Sequence, residues 1–172
     1  MQQRSLTHEP AFEYAKGADT RLLRTAFGRF ATGVTIVTAT DGAAPVGVTA
    51  NSFTSVSLDP PLILVCLGKS LGCVDTFARS ERFAINVLSA EQRADSARFA
   101  TKGIDRFKDT RWRYSEADLP LIDDALAHIE CQMHNQLDCG DHVIFVGEVL
   151  IARYQPDLSP LLYFGGEYGY LK

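Results

Sequence analysis

Several features that would assign a function directly are missing from this sequence of 172 residues. None of its four cysteines forms a Cys-x-x-Cys pair, so a zinc ribbon or a thioredoxin-type motif is unsupported. The net charge is only -4 and no basic block occurs, which disfavours nucleic acid or an anionic membrane surface as a partner. The longest apolar run, Leu62 to Leu67, is too short to span a bilayer.

Common nucleotide-binding and metal-binding motifs are also missing. No Gly-x-Gly-x-x-Gly occurs, so a Rossmann-type nicotinamide site is not indicated. Gly68-Lys69-Ser70 looks like the end of a Walker A loop, but Ile63 stands where that motif needs its first glycine. No two histidines have the spacing of standard metal ligands, so no metal site is predicted.

The composition is that of one globular domain. Hydrophobic residues make up 46% of the chain, and its length is enough to bury a core without disulfides. We expect a polar N-terminal arm over residues 1–20 and a single domain over residues 21–172. Cys66 and Cys131 lie in apolar runs and are interpreted as small buried hydrophobes. The first residues do not form a secretory signal, so a reducing cytoplasm is the expected location.

The pattern of apolar residues predicts a mainly β protein. We expect helices at 20–30, 72–78 and 90–100 and strands at 33–40, 45–50, 62–67, 83–88, 127–137, 142–154 and 160–166, with 101–124 irregular. The strands do not alternate regularly with helices, so a doubly wound parallel sheet is not favoured. A closed or split antiparallel barrel with peripheral helices fits better.

Local signals add detail to this pattern. Asp41-Gly42 predicts a hairpin turn, because both positions must tolerate a positive φ. The sequence Asp59-Pro60-Pro61 predicts extended chain, and residues 138–141 predict a turn. The run from Leu62 to Leu67 is apolar on both faces and predicts a fully covered strand. Asp19 or Thr20, and later Ser89, are expected to cap helices.

Three polar segments each have a local chemistry that fits either a ligand-binding role or a structural role. Gly68-Lys69-Ser70 joins a strand to a helix, so it can hold a phosphate or be a plain turn. Thr49-Ala50-Asn51-Ser52 leaves a strand, so its polar groups can face a planar ring or form an ordinary turn. His142 follows Gly140-Asp141 and is interpreted as a structural or ligand-contacting histidine. These segments alone name no reaction.

Six short blocks, taken in order, carry a resemblance to a known family. They are Phe27–Thr38, Gly47–Pro61, Phe83–Leu88, Phe99–Phe107, Gly140–His142 and Gly147–Val149. Their order and spacing, from Leu22 to Tyr168, make the chain resemble the short-chain flavin reductases. These are the reductase components of two-component flavin-dependent monooxygenases.

The resemblance implies a fold, a reaction and partners. The fold is an antiparallel split β-barrel of Greek-key type, assembled as a homodimer with flavin near the subunit interface. The reaction is transfer of hydride from NADH or NADPH to FMN or FAD, and the reduced flavin diffuses to a separate monooxygenase. The alternative is a flavin-binding electron-transfer protein or a ferric reductase on the same barrel, with tightly held flavin.

The resemblance also implies the residues of a cofactor site. Around the flavin ring and ribityl chain it places Thr49, Ala50, Asn51, Ser52, Phe53, Ser55 and Val56, together with Cys66. At the phosphate it places Lys69 and Ser70, and across the site Phe99, Ala100, Lys102 and Arg106. His142 is expected to position the nicotinamide rather than to act as a general acid, and Tyr168 is expected to flank the same space.

Overall fold

The computed structural model describes residue 17 and residues 19–171. Its three α-helices are α1 Thr20–Phe27, α2 Val74–Arg79 and α3 Arg93–Ala100, and a short 3-10 turn, Ala90–Gln92, leads into α3. The strands are β1 Thr32–Gly33, β2 Thr35–Ala39, β3 Val46–Ala50, β4 Thr54–Leu58, β5 Pro61–Gly68, β6 Arg82–Val87, β7 Trp112–Tyr114, β8 Pro120–Ile122, β9 Ala127–Cys139, β10 His142–Tyr154, β11 Leu162–Phe164 and β12 Glu167–Gly169. The predicted arm of residues 1–20 lies mostly outside the described residues.

One seven-stranded antiparallel sheet dominates the fold. Its strand order is β3-β2-β6-β9-β10-β5-β4, and the small sheets β1-β11-β12 and β7-β8 lie beside it. The prediction of a mainly β, antiparallel fold is therefore confirmed. β9 and β10, of 13 residues each, form the longest hairpin and turn at Gly140-Asp141, as the sequence predicts.

Both ends of the large sheet pack on one hydrophobic core. Val37 and Val48 come from the β2–β3 end, and Val65 and Leu67 come from β5 near the other end. Phe77 of α2 fills the space between them and is fully buried. Strands that are far apart in the sheet order share this core, so the sheet curls strongly around it.

Two glycines let aromatic rings approach the sheet closely. A Cβ at Gly47 of β3 would lie 2.6 Å from a ring carbon of Phe99, which belongs to α3. A Cβ at Gly147 of β10 would lie 2.5 Å from the ring of Phe83 and 2.7 Å from Cβ of Cys131. Burial of Cys131 raises the pKa of its thiol to about 12, as expected for a small buried hydrophobe.

The segment 101–124, expected to be irregular, contains the β7–β8 hairpin. This hairpin covers the outer face of the sheet and is held by buried side chains from distant strands. The Thr38 hydroxyl donates to the Pro120 carbonyl at 2.5 Å. The side-chain amide oxygen Oδ1 of Asn86 accepts from the Ile122 N–H at 2.9 Å. The prediction failed because these partners are tens of residues away in the sequence.

Several local predictions need correction. The helix predicted over 20–30 ends at Phe27, although its expected cap, Asp19, does accept from the Leu22 N–H at 3.0 Å. The β2–β3 connection spans residues 40–45, and in Asp41-Gly42 only Gly42 has a positive φ, of 90°. Asp59-Pro60 is a two-residue turn rather than extended chain, because Leu58 pairs with Pro61.

The strand β5 is not covered equally on both faces. Ile63, Val65 and Leu67 are buried in the core, whereas Leu62, Leu64 and Cys66 on the opposite face are only half-buried. The interpretation of Cys66 as a buried hydrophobe is therefore wrong within this chain. Its face of the strand opens onto a cavity.

We expect Gly147→Ala to lower the free energy of unfolding by about 1–3 kcal/mol, because the new methyl group overpacks a rigid core. Urea unfolding measures this change. Gly33→Ala is the matched control, since no heavy atom lies within 4 Å of a Cβ at that position. Equal unfolding midpoints for the two variants would contradict the close packing at Gly147.

Candidate functional site

A cavity of about 800 Å³ opens where β3 and β5 end and β10 begins. Sheet register explains this meeting point, because His142 pairs with Gly68 at the end of β5. Among the predicted site residues, those that line this cavity are Thr49, Ala50, Asn51, Ser52, Cys66, Lys69, Ser70, Ala100 and His142. Residues that are separated by most of the chain are thus brought to one place.

Ser52 ties the two ends of the sheet together at the cavity wall. Its hydroxyl accepts from the Cys66 N–H and donates to the Cys66 carbonyl, each at 3.0 Å. The segment that leaves β3 is thereby fastened to β5. Ser52 was expected to contact a ligand, but the structure uses its hydroxyl to close the wall.

The neighbouring Thr49 hydroxyl is also engaged within the protein. It donates to the Ser96 carbonyl of α3 at 2.6 Å, while the Thr35 hydroxyl donates to the Ala50 carbonyl at 2.7 Å. Asn51 lies one residue beyond the last pairing of β3 and is exposed. Its side-chain amide has no hydrogen-bond partner within the part of the chain that the structure describes. Asn51 is therefore the polar side chain of this segment best placed to meet a ligand.

His142 lies on the opposite side of the cavity. Its Nδ1 lies 2.7 Å from the Asp141 carboxylate, and its Nε2 lies over Gly68, where an added Cβ would be 3.7 Å away. The hydrogen bond from His142 holds the pKa of the Asp141 carboxyl below its ordinary value. With Nδ1 donating to Asp141, Nε2 of the neutral ring remains as an acceptor.

Lys69 does not point freely into the cavity. Its ammonium group contacts the Asp138 carboxylate and donates to the Gly140 carbonyl at 2.8 Å. Its backbone N–H donates to the Asp141 carbonyl at 2.9 Å. The residue expected at a flavin phosphate is thus bound to the tip of the β9–β10 hairpin.

Two smaller cavities adjoin the main one. A cavity of about 480 Å³ shares Leu71 with it and is lined by Lys102 and Arg106, both predicted site residues. The Arg106 guanidinium donates to the carbonyls of Gly47 and Thr101, at 2.6 and 3.0 Å, and so anchors the loop after α3.

The second adjoining cavity, of about 210 Å³, shares residues 49–51 with the main one. Tyr168 lines it, and its hydroxyl lies 2.8 Å from that of Ser96. The Arg93 guanidinium lies 5.3 Å from the centre of the Tyr168 ring. The contacts with Ser96 and Arg93 therefore hold the Tyr168 side chain beside the main cavity.

Four predicted site residues are placed elsewhere. Phe99 is fully buried, with its ring 5.0 Å from that of Phe107, and Phe53 packs against the main core. Ser55 and Val56 lie on the exposed edge strand β4. None of these four side chains lines the three cavities described above, so their ligand contacts stay predictions.

Sequence reasoning also missed residues of the cavity wall. Arg24 of α1 lines the cavity, and no sequence signal placed α1 beside the exit of β3. Asp141 contacts His142 directly and belongs to the Gly-Asp-His block, so its role could have been inferred from that block.

The Cys66 thiol in the cavity wall is not activated as a nucleophile. Burial, together with the nearby Cys139, raises the pKa of the Cys66 thiol above its ordinary value, so Cys66 is a thiol at neutral pH. Among the described residues no group of three or more His, Cys, Asp or Glu side chains could hold a metal ion. The arrangement is suited to binding and orienting a ligand.

We expect Ser52→Ala to lower the free energy of unfolding by about 1–3 kcal/mol, because both main-chain groups of Cys66 lose their partner. Hydrogen exchange of the Cys66 amide should accelerate in this variant. Ser55→Ala, on the exposed strand β4, is the control. An unchanged exchange rate at Cys66 would show that the Ser52 hydroxyl does not close the wall.

Comparisons with known proteins agree with this geometry. The model of the flavin reductase like domain matches residues 27–172. FMN reductase (NADH) SmoA of Agrobacterium fabrum is 46% identical over 153 residues, which cover 89% of this chain and 87% of the relative. A probable flavin reductase of Rhizobium meliloti is 50% identical over 151 residues, or 87% of this chain, which spans only 48% of that longer protein.

A solved structure shows the same fold. The NADH:FAD oxidoreductase SgcE6 of Streptomyces globisporus, in complex with NAD and FAD fragments, matches with a TM-score of 0.90 at 41% identity. The match covers 94% of this chain and 98% of the other. The Agrobacterium and Streptomyces relatives are named as NADH-dependent reductases of FMN and FAD, respectively. The resemblance carried by the ordered motifs is confirmed, and the chain belongs to the flavin reductase like domain family.

Proposed function

We propose that this chain is an NAD(P)H-dependent flavin reductase that reduces FMN or FAD and supplies the reduced flavin to a separate monooxygenase. The observation that carries the proposal is the cavity that joins Asn51 to His142 across the exits of β3 and β5. A relative in this size range, the reductase subunit HsaB of Rhodococcus jostii, is named for its flavin-dependent monooxygenase and is 38% identical over 154 residues.

The residues present fit a flavin. The volume of about 800 Å³ lies within the range of about 300–1,000 Å³ typical of small-molecule sites. The wall combines the apolar Val48 and Leu71 with polar groups from residues 49–52. A planar ring with a polar edge needs this combination of apolar faces and hydrogen-bonding groups.

Flavin supplies the redox chemistry, since it accepts a hydride from a reduced nicotinamide. The protein supplies binding and orientation. We assign Asn51 and the main chain beyond β3 to the polar edge of the ring, and Ser70 and Arg24 to the phosphate end of the ligand. Arg24 is the cation we favour there, because the Lys69 ammonium is bound to Asp138.

His142 is assigned to nicotinamide positioning. Asp141 holds Nδ1, so the ring presents Nε2 beside Gly68 at a fixed angle. Two planar rings react only when they are stacked at close distance, and a positioned hydrogen bond favours that arrangement.

The fold that we propose for this function is a split β-barrel. Its support is the shared core at both ends of the sheet and the Ser52 bridge between β3 and β5. We also propose a cytoplasmic location, because all four cysteines are free thiols, as a reducing compartment requires. In the described part of the chain no helix is long and apolar enough to cross a membrane.

A homodimer is the proposed assembly. The helix α1 buries none of its residues, and the side chains of Phe27 and Phe30 are 70% and 78% exposed. Exposed apolar surface of this kind marks an interaction site. Arg24 of the same helix lines the cavity, so a second copy on α1 would lie beside the ligand site.

The reductase proposal predicts that NADH or NADPH oxidation by the purified protein depends on added FMN or FAD. We expect His142→Ala to raise the nicotinamide KM by about tenfold with little change in kcat, since it removes one positioned contact. His134→Ala, at an exposed histidine of β9, is the control. Oxidation that free flavin does not stimulate would contradict the proposed function.

The dimer proposal predicts that Phe30→Glu shifts the protein towards monomer, because a charge in the exposed apolar surface just beyond α1 opposes its burial. Sedimentation velocity at several protein concentrations measures the shift, with the surface variant Lys108→Glu as control. A wild-type chain that sediments as a monomer throughout would overturn the assembly.

A further inference from the structure

The tip of the β9–β10 hairpin, residues 138–141, is held by a single residue of another strand. Lys69, just beyond β5, makes three contacts to it: with the Asp138 carboxylate, with the Gly140 carbonyl at 2.8 Å and with the Asp141 carbonyl at 2.9 Å. The first two use the side-chain ammonium, and the third uses the backbone N–H. The ladder between β5 and β10 ends one residue earlier, at the pair Gly68 and His142.

His142 depends on this tip for its orientation. It is the first residue of β10, and its Nδ1 is bound to Asp141, which is itself part of the tip. The Asp141 side chain is 95% exposed and has no packing to hold it, so its place is set by the main chain. Lys69 binds that main chain at the Gly140 and Asp141 carbonyls, in addition to the pairing of His142 with Cys139 in the hairpin.

We propose that Lys69 is a positioning residue for His142, acting through the hairpin tip, and that it is not the ligand of a flavin phosphate. The proposal rests on the reductase function assigned to the cavity. The lysine ammonium already has a carboxylate and a carbonyl as partners, so a phosphate would have to displace Asp138. Lys69 therefore acts on the nicotinamide side of the site.

Kinetics with two flavins separate the two roles, because riboflavin has no phosphate and FMN has one. We expect Lys69→Met to raise the nicotinamide KM by about fivefold, and by the same factor with either flavin, because His142 loses its fixed position. Lys69→Arg should restore most of the wild-type KM, because a guanidinium can also reach Asp138 and the Gly140 carbonyl. Lys108→Met, at an exposed lysine outside the site, is the control.

Double variants test the path through the tip. Asp138→Asn should raise the nicotinamide KM in the same direction as Lys69→Met and add little to it. Lys69→Met should have no further effect in a His142→Ala background. A loss confined to FMN, with riboflavin reduction and the nicotinamide KM unchanged, would overturn the proposal and return Lys69 to the phosphate.

A spectroscopic measurement keeps this test independent of activity. The ring resonances of His142, assigned by comparison with His142→Gln, should shift in Lys69→Met and remain in place in Lys108→Met. Unchanged ring resonances in folded Lys69→Met would also overturn the proposal. If the wild-type protein reduced no flavin, the reductase assignment would fail, while the spectra would still report whether Lys69 positions His142.

Discussion

The two hydrogen bonds between the Ser52 hydroxyl and the Cys66 main chain join strands from opposite ends of the seven-stranded sheet. The curled sheet leaves β3 and β4 as edges, and the chain between these edges must cross over the core. By binding that crossing segment to β5, Ser52 closes the gap between the two edges and forms one wall of the cavity. The candidate site lies along this gap, so its shape depends on the two Ser52 hydrogen bonds more than on any single residue that faces the ligand.

Close packing connects this part of the sheet to α3 and to the loop that follows α3. Because Gly47 has no side chain, the Phe99 ring packs directly on β3. This contact holds α3 where the Ser96 carbonyl accepts from the Thr49 hydroxyl. Arg106 then binds the Gly47 carbonyl from the following loop. The buried Phe99 thus fixes two walls of the site, which explains why it belongs to a recognisable motif without lining any of the three cavities described.

Much of the fold could be predicted from local pattern. The long strands β9 and β10 and the turn between them follow from apolar periodicity and from Gly140, whose φ is 61°. The β7–β8 hairpin could not be predicted, because it is held by buried Thr38 and Asn86 on strands far away in sequence. In the site, the ordered motifs predicted which residues converge. They did not predict that Lys69 contacts Asp138, because Asp138 lies near the end of β9 and only the sheet register brings it close to the end of β5.

The helix α1 joins two features that are usually separate in a small protein. One side presents Arg24 to the ligand cavity, while the rings of Phe27, at the end of the helix, and of Phe30, three residues further on, are uncovered. A contact that buries those rings would therefore also steady the arginine at the cavity mouth. By mass action, ligand affinity and self-association would then reinforce one another, and a dilute sample would bind flavin more weakly than a concentrated one.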